Sequence, residues 1–205
     1  MEQTTVLRDI GSLLKYLLKS QISQLSDENS ITFNSPAEME DTSNTKLSLY
    51  LYQVMENSQM RNSEPIYDSN RQQMTPAPVS MDLYYLLTPY AKDRETELII
   101  LENIIGLFHN ELIIKNAGQA TGDDLDEIQT LQKSLAATGN ENLRVVPHNI
   151  PLEELNRLWE RFSGKPYKMT ASCLVTPARI PVGTVYPVPK VDKEIVRVRK
   201  MGGVA

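Results

Sequence analysis

Cysteine occurs once in this chain of 205 residues, at Cys173. A single thiol cannot close an internal disulfide, so packing has to hold the fold, as suits a reducing cytoplasm. Histidine is nearly as scarce. His109 and His148 stand far apart, and neither has a metal-ligand companion at i+4 or a cysteine pair beside it. Both read as structural or surface residues. No apolar run reaches the roughly 18 residues that a bilayer span needs. The opening residues, MEQTTVLRDIGS, bring an acid early in place of a basic segment and an apolar core, so no secretory signal is expected. Basic excess is missing too. The formal charge is -5 and the pI about 5.2, which argues against a nucleic-acid partner held by bulk charge.

The usual signatures of chemistry are also missing. There is no glycine-rich phosphate loop, no nucleophile elbow and no Glu-x-x-His arrangement. Cys173 falls on the apolar side of an alternating stretch, where it reads as a small core residue and not a nucleophile. Asp123, Asp124, Asp126 and Glu127 form the one acidic group dense enough to suggest a cation. They lack the spaced oxygens and central glycine of a calcium loop, so they read as the solvated start of a helix. No catalytic residue, metal site or cofactor is expected, and the chain reads as a non-enzyme.

What the sequence has is alternation. Leu47–Val54 (LSLYLYQV) and Val79–Pro89 (VSMDLYYLLTP) both follow the two-residue period of a β-strand. Leu47, Leu49 and Leu51 share a face opposite Ser48, Tyr50 and Tyr52. Val79, Met81, Leu83, Tyr85 and Leu87 share another, opposite Ser80, Asp82, Tyr84 and Leu86. Tyrosine has an apolar body and a polar tip, so both faces can be covered. Such strands suit the middle of a sheet with helices on one side and another layer opposite. Between them, residues 56–78 show no periodicity and read as an exposed loop.

Four helices are expected. Residues 4–24 place Val6, Ile10, Leu13, Leu14, Leu17 and Leu18 on one stripe, with Thr4 or Thr5 as cap. Arg94–Asn110 puts Leu98, Leu101, Ile105 and Phe108 on a stripe widened by Ile100, Ile104 and Leu107. Leu125–Ala137 aligns Leu125, Ile128, Leu131 and Leu135 before Gly139-Asn140 ends it. Pro151–Phe162 starts on a proline whose missing N–H costs nothing and carries Glu153 and Glu154 at the positive end of its dipole. Its face is Leu152, Leu155, Trp159 and Phe162, and Gly164 then Pro166 stop it. Trp159 reads as a core or interface anchor. Leu143–Val146 and Tyr167–Thr176 are further strand candidates.

Prolines gather after Gly164, and past Pro177 the character changes. We read residues 1–176 as one domain and 177–205 as an extended arm with two β-competent pieces, Thr184–Val188 and Ile195–Arg199. From Lys190 to Lys200 five basic residues face two acids, a local +3 in a chain of total -5. Ile195, Val196, Arg197, Val198 and Arg199 are the candidate partner-binding residues: Val196 and Val198 take one face, Arg197 and Arg199 the other. Such a segment can add a strand to a partner's sheet.

The succession of pieces carries a resemblance. An LLKYLL helix leads to ITFNSPAEM, LSLYLYQVMENSQMRN and MDLYYLLTPYAKDRETE; a helix ending LFHNE, then PLEELNRLWERF and YKMTASCLV, complete the order. Over residues 7–175 this resembles the tail-terminator, or cap, family of extracellular contractile injection systems. The resemblance implies an α+β fold, with a mixed, mainly antiparallel sheet packed against helices. It also implies a hexameric ring that ends inner-tube growth and anchors the last sheath layer, distal to the baseplate. The implied partners are copies of the chain, the inner-tube protein and the sheath protein, with no nucleic acid and no membrane; Ile195–Arg199 is then the expected contact with sheath or tube. Assembly would be cytoplasmic, in a particle then released. Another adaptor or baseplate-associated subunit is the alternative, and a small enzyme with a hidden site is a third.

Overall fold

The computed structural model describes residues 5–40, 44–70, 72–110 and 125–188. The two alternating stretches lie side by side. Leu47–Glu56 (β2) and Val79–Pro89 (β5) pair antiparallel, from Leu47 opposite Pro89 to Glu56 opposite Met81. Ile31–Thr32 (β1) flanks β2, Ala171–Ile180 (β7) flanks β5, and Arg144–Pro147 (β6) lies outside β7, giving the order β1-β2-β5-β7-β6. Among the described strands only β1 and β2 pair in parallel. The sheet is therefore mixed and mainly antiparallel, as expected.

The side-chain alternation sorts the two faces as read. Leu47, Leu49, Leu83, Tyr85 and Leu87 are buried in the larger core with Cys173 and Val175 of β7. The helix Val6–Gln21 (α1) closes this side with Ile10, Leu13, Leu14 and Leu18, each at most 1% exposed. Burying one such side chain contributes about 1.5–3 kcal/mol. Leu125–Ala137 (α3) packs here through Ile128 and Leu135. The opposite face carries Leu86, Tyr50 and Tyr52, covered by Trp159 and Phe162. Trp159 belongs to Leu152–Glu160 (α4), so α4 is the second layer. Leu152, expected on the covered stripe, is exposed.

Arg94–Asn110 (α2) forms where expected but turns another stripe inward. Ile100, Leu101, Ile104 and Phe108 are buried, whereas Leu98 and Ile105 are 46% and 57% exposed. The helix is apolar almost all round, so periodicity alone cannot choose its inner side. Glu97 completes the inner stripe, because Lys168 and Arg94 partner its carboxylate there.

Two other readings shift. Residues 56–78 are not without structure: Ile66–Asp68 (β3) and Gln73–Thr75 (β4) form a hairpin, with Gln72 at φ 50° in its turn. Tyr186–Pro187 (β8), inside the piece 184–188 read as β-competent, adds to β4 as a third strand. The strand placed at 167–176 instead starts at Ala171 and continues past Pro177 to Ile180, beyond the boundary drawn at residue 176. Proline is tolerated because it sits at a bulge: the register passes from Leu83 opposite Val175 to Met81 opposite Ala178. β6 has already ended at Thr176, so no ladder bond is lost on that side.

Candidate functional site

The candidate residues Ile195, Val196, Arg197, Val198 and Arg199 lie outside the described residues, as do Asp123 and Asp124. Asp126 and Glu127 are exposed on the first turn of α3. Among the described residues no group of three His, Cys, Asp or Glu side chains is placed to hold a metal.

The remaining candidates for chemistry are spoken for inside the fold. Burial pushes the Cys173 thiol up to about 12, so it stays neutral in the core. Half-buried His148 holds the Tyr52 hydroxyl and the Ser172 hydroxyl each 3.3 Å from Nδ1. Its ring meets Tyr84 edge-on at 4.9 Å. Burial raises the Tyr52 phenol above its usual value. Trp159 packs T-shaped against Phe162 at 5.4 Å and Tyr167 at 5.3 Å, although its indole N–H has no partner among the described residues.

Two buried carboxylates, Asp9 and Glu97, and the half-buried Asp82 serve as clasps. Burial alone would raise the Asp9 carboxyl, but hydrogen bonds from Thr5, Ser134 and Arg8 hold it below the ordinary value. Ser134 Oγ donates at 3.0 Å and ties α3 to α1. Thr5 Oγ1 donates to Asp9 at 2.8 Å rather than capping the helix through its own side chain. At Glu97 burial again works upward, and hydrogen bonds from Lys168 and Arg94 outweigh it and bring the carboxyl down. Asp82 accepts from Thr176 Oγ1 at 2.5 Å and Asn57 Nδ2 at 3.0 Å. Each clasp joins elements distant in sequence.

The outer surface tells a different story. Leu98, Ile99 and Ile105 of α2 are exposed, as are Val54 and Met55 at the end of β2. Ile66, Tyr67 and Tyr186 stand on the small sheet, at 63%, 46% and 45% exposure. A mainly apolar cleft of about 290 Å³ opens between α1 and β2, lined by Leu7, Arg8, Gly11, Phe33, Tyr50, Leu51 and Tyr85. Exposed apolar surface marks a site where other chains bind when it is contiguous, whereas residues scattered singly are ordinary. Sequence reasoning read the wide stripe of α2 as buried against a sheet or a neighbouring subunit without dividing it into inner and outer parts, and it missed the hairpin. The sequence signals were an all-round apolar helix and the IYD and QMT triplets.

Paired buried carboxylates and outward apolar residues thus sit on a small α+β fold. The chain belongs to the Pvc16 N-terminal domain family, whose model matches residues 9–194. It is similar to the sheath/tube terminator, in its extended state, of the PVC extracellular contractile injection system, at 17% identity and a TM-score of 0.61; the match covers 98% of this chain and 66% of that one. It is similar also to the tube-terminating cap of the anti-feeding prophage, at 14% identity and a TM-score of 0.63, covering 96% of this chain and 62% of that one. This chain thus spans less than two thirds of the length of either. No curated protein matches it. The resemblance drawn from the sequence and the α+β fold it implied are both borne out.

Proposed function

We propose that this chain is a structural cap, a tail terminator of a contractile injection particle. It forms a ring that ends inner-tube growth and anchors the last sheath layer at the end distal to the baseplate. Its partners are other copies of itself, closing as a hexamer, together with the inner-tube and sheath proteins. It assembles in the cytoplasm, and it makes or breaks no bond.

The observation that carries this reading is the family membership, on a fold shared with a sheath/tube terminator and a tube-terminating cap. The outward apolar residues support it, since a closed ring needs two different complementary surfaces on every subunit. Particles made without this chain should have tubes and sheaths of uncontrolled length. Normal particle lengths without it would refute the terminator role, and labelled protein found at the baseplate would assign it to that end instead.

A further inference from the structure

The outer edge of β2 is open. β1 pairs with it at Leu47 and Ser48 only. The chain then peels away at Ser35-Pro36 into a short helical turn, held by the Ser35 N–H donating to Glu38 Oε2 at 2.8 Å. Among the described residues no strand continues along this edge from Leu49 to Glu56, although β5 accompanies β2 to Glu56 on the other side. A bare edge is a template for another chain, and proteins that keep one usually guard it with lysine, proline or bulges. Here the guard is slight: a bulge at Tyr52 and a terminal Glu56 in LYLYQVME.

The apolar cleft lies beside this edge, with Tyr50 and Leu51 belonging to both. On the α1 side Gly11 lets the Phe33 ring pack close to the helix, where a Cβ would stand 3.2 Å from it. An edge strand bordered by a helix-walled apolar groove is the arrangement that takes up extended peptides. The edge supplies main-chain hydrogen bonds, and the groove receives alternate side chains.

The chain itself contains a segment with the matching pattern. In Ile195–Arg199, Val196 and Val198 would face the cleft. Arg197 and Arg199 would face the side of β2 where Tyr52, Glu154, Arg157 and Arg161 line a second cleft, so the match rests on the strand pattern and not on charge. We infer that the β2 edge from Leu49 to Glu56, with its cleft, receives Ile195–Arg199 of a neighbouring copy as an added strand. The inference rests on the cap reading, which calls for identical subunits in a ring. A head-to-tail ring needs a donor and a different acceptor on each copy, and this segment and this edge are such a pair. The acceptor is then a neighbouring cap subunit in place of the sheath.

The test uses the full chain with Gln53→Cys on the exposed edge and Arg197→Cys in the donor, two positions on the same face of the extended sheet. Cys173 is buried and does not compete. Mild oxidation should give a ladder of linked subunits on a non-reducing gel, and a Glu64→Cys control with the same donor should give none. Val196→Asp with Val198→Asp in the full chain should weaken ring formation at least about tenfold, a loss of about 1.4 kcal/mol. A chain cross-linked only to itself, or to sheath protein but never to another copy, overturns the inference. Rings visible by negative stain without any ladder also overturn it, and they leave the cap reading standing. Absence of rings in the unmodified chain, together with bare particle ends, removes both.

Discussion

The side-chain amide of Asn140 pairs with the backbone of Arg179 as a neighbouring strand would. Its Oδ1 accepts the Arg179 N–H at 2.7 Å, and its Nδ2 donates to the Arg179 carbonyl at 2.8 Å. β6 stops at Arg144 opposite Thr176, so this one side chain carries the pairing further along β7. Asn140 is 3% exposed, just after Gly139 closes α3 at φ 78°.

Asn140→Ala leaves both Arg179 backbone groups without this partner. The expected cost is about 1–3 kcal/mol, the usual penalty for orphaned buried polar groups. In a chain of this size that lowers Tm by roughly 2–4 °C per kcal/mol, measurable by thermal unfolding. An unchanged Tm would mean that the pairing contributes nothing.

Glu97 sets an acid limit on stability. Its folded-state pKa lies below the ordinary glutamate value, because hydrogen bonds from Lys168 and Arg94 outweigh burial. The stabilisation is therefore complete above that ordinary value and drains away as pH falls through the depressed one. Glu97→Gln should flatten this part of the acid-unfolding curve, followed by circular dichroism between pH 6 and about 3. Parallel curves for the two proteins would contradict it.

Trp159 combines good ring packing with a buried N–H that has no partner among the described residues. Trp159→Phe sheds that donor along with some apolar area, so a net cost within about 1.5 kcal/mol is expected. Trp159→Ala should cost about 3–5 kcal/mol, because the cavity opens between Phe162 and Tyr167. Denaturant midpoints separate the two; equal losses would make the indole itself indispensable.

Ile104 and Ile105 are adjacent and should behave as opposites, being 1% and 57% exposed. Ile105→Lys should leave the isolated fold within about 0.5 kcal/mol. Ile104→Lys buries an unpaired charge and should prevent folding. If the outward stripe of α2 is covered in the particle, Ile105→Lys should also reduce incorporation into it, as scored on purified particles. A destabilised Ile105→Lys subunit would show that this stripe is buried within the chain.

Local pattern carried far, up to a physical limit. The faces of β2 and β5, the extents of α2 and α3 and the stop after α4 at Gly164 were all legible, because alternation, helical spacing and a positive φ act over a few residues. The inner side of α2 was not. Its choice depends on Lys168 reaching Glu97 from 71 residues away. Ser134 bonding Asp9 across 125 residues is hidden for the same reason. The hairpin β3–β4 was missed because three-residue strands with exposed side chains leave almost no period to read. β7 was misplaced because proline reads as a stop, and only the bulge opposite β5 makes it acceptable.

The attachment of β8 to β4 has a mechanical consequence. It rests on the register pairs Gln73–Pro187 and Met74–Tyr186, with the Val188 N–H donating to Gln72 at 2.8 Å. β5 and β7, by contrast, are stitched along most of their length. Tension pulling on the chain beyond Val188 meets the short seam first. That seam should part at lower force than the main sheet in single-molecule stretching, so a tug from the far end is absorbed before the body of the subunit yields.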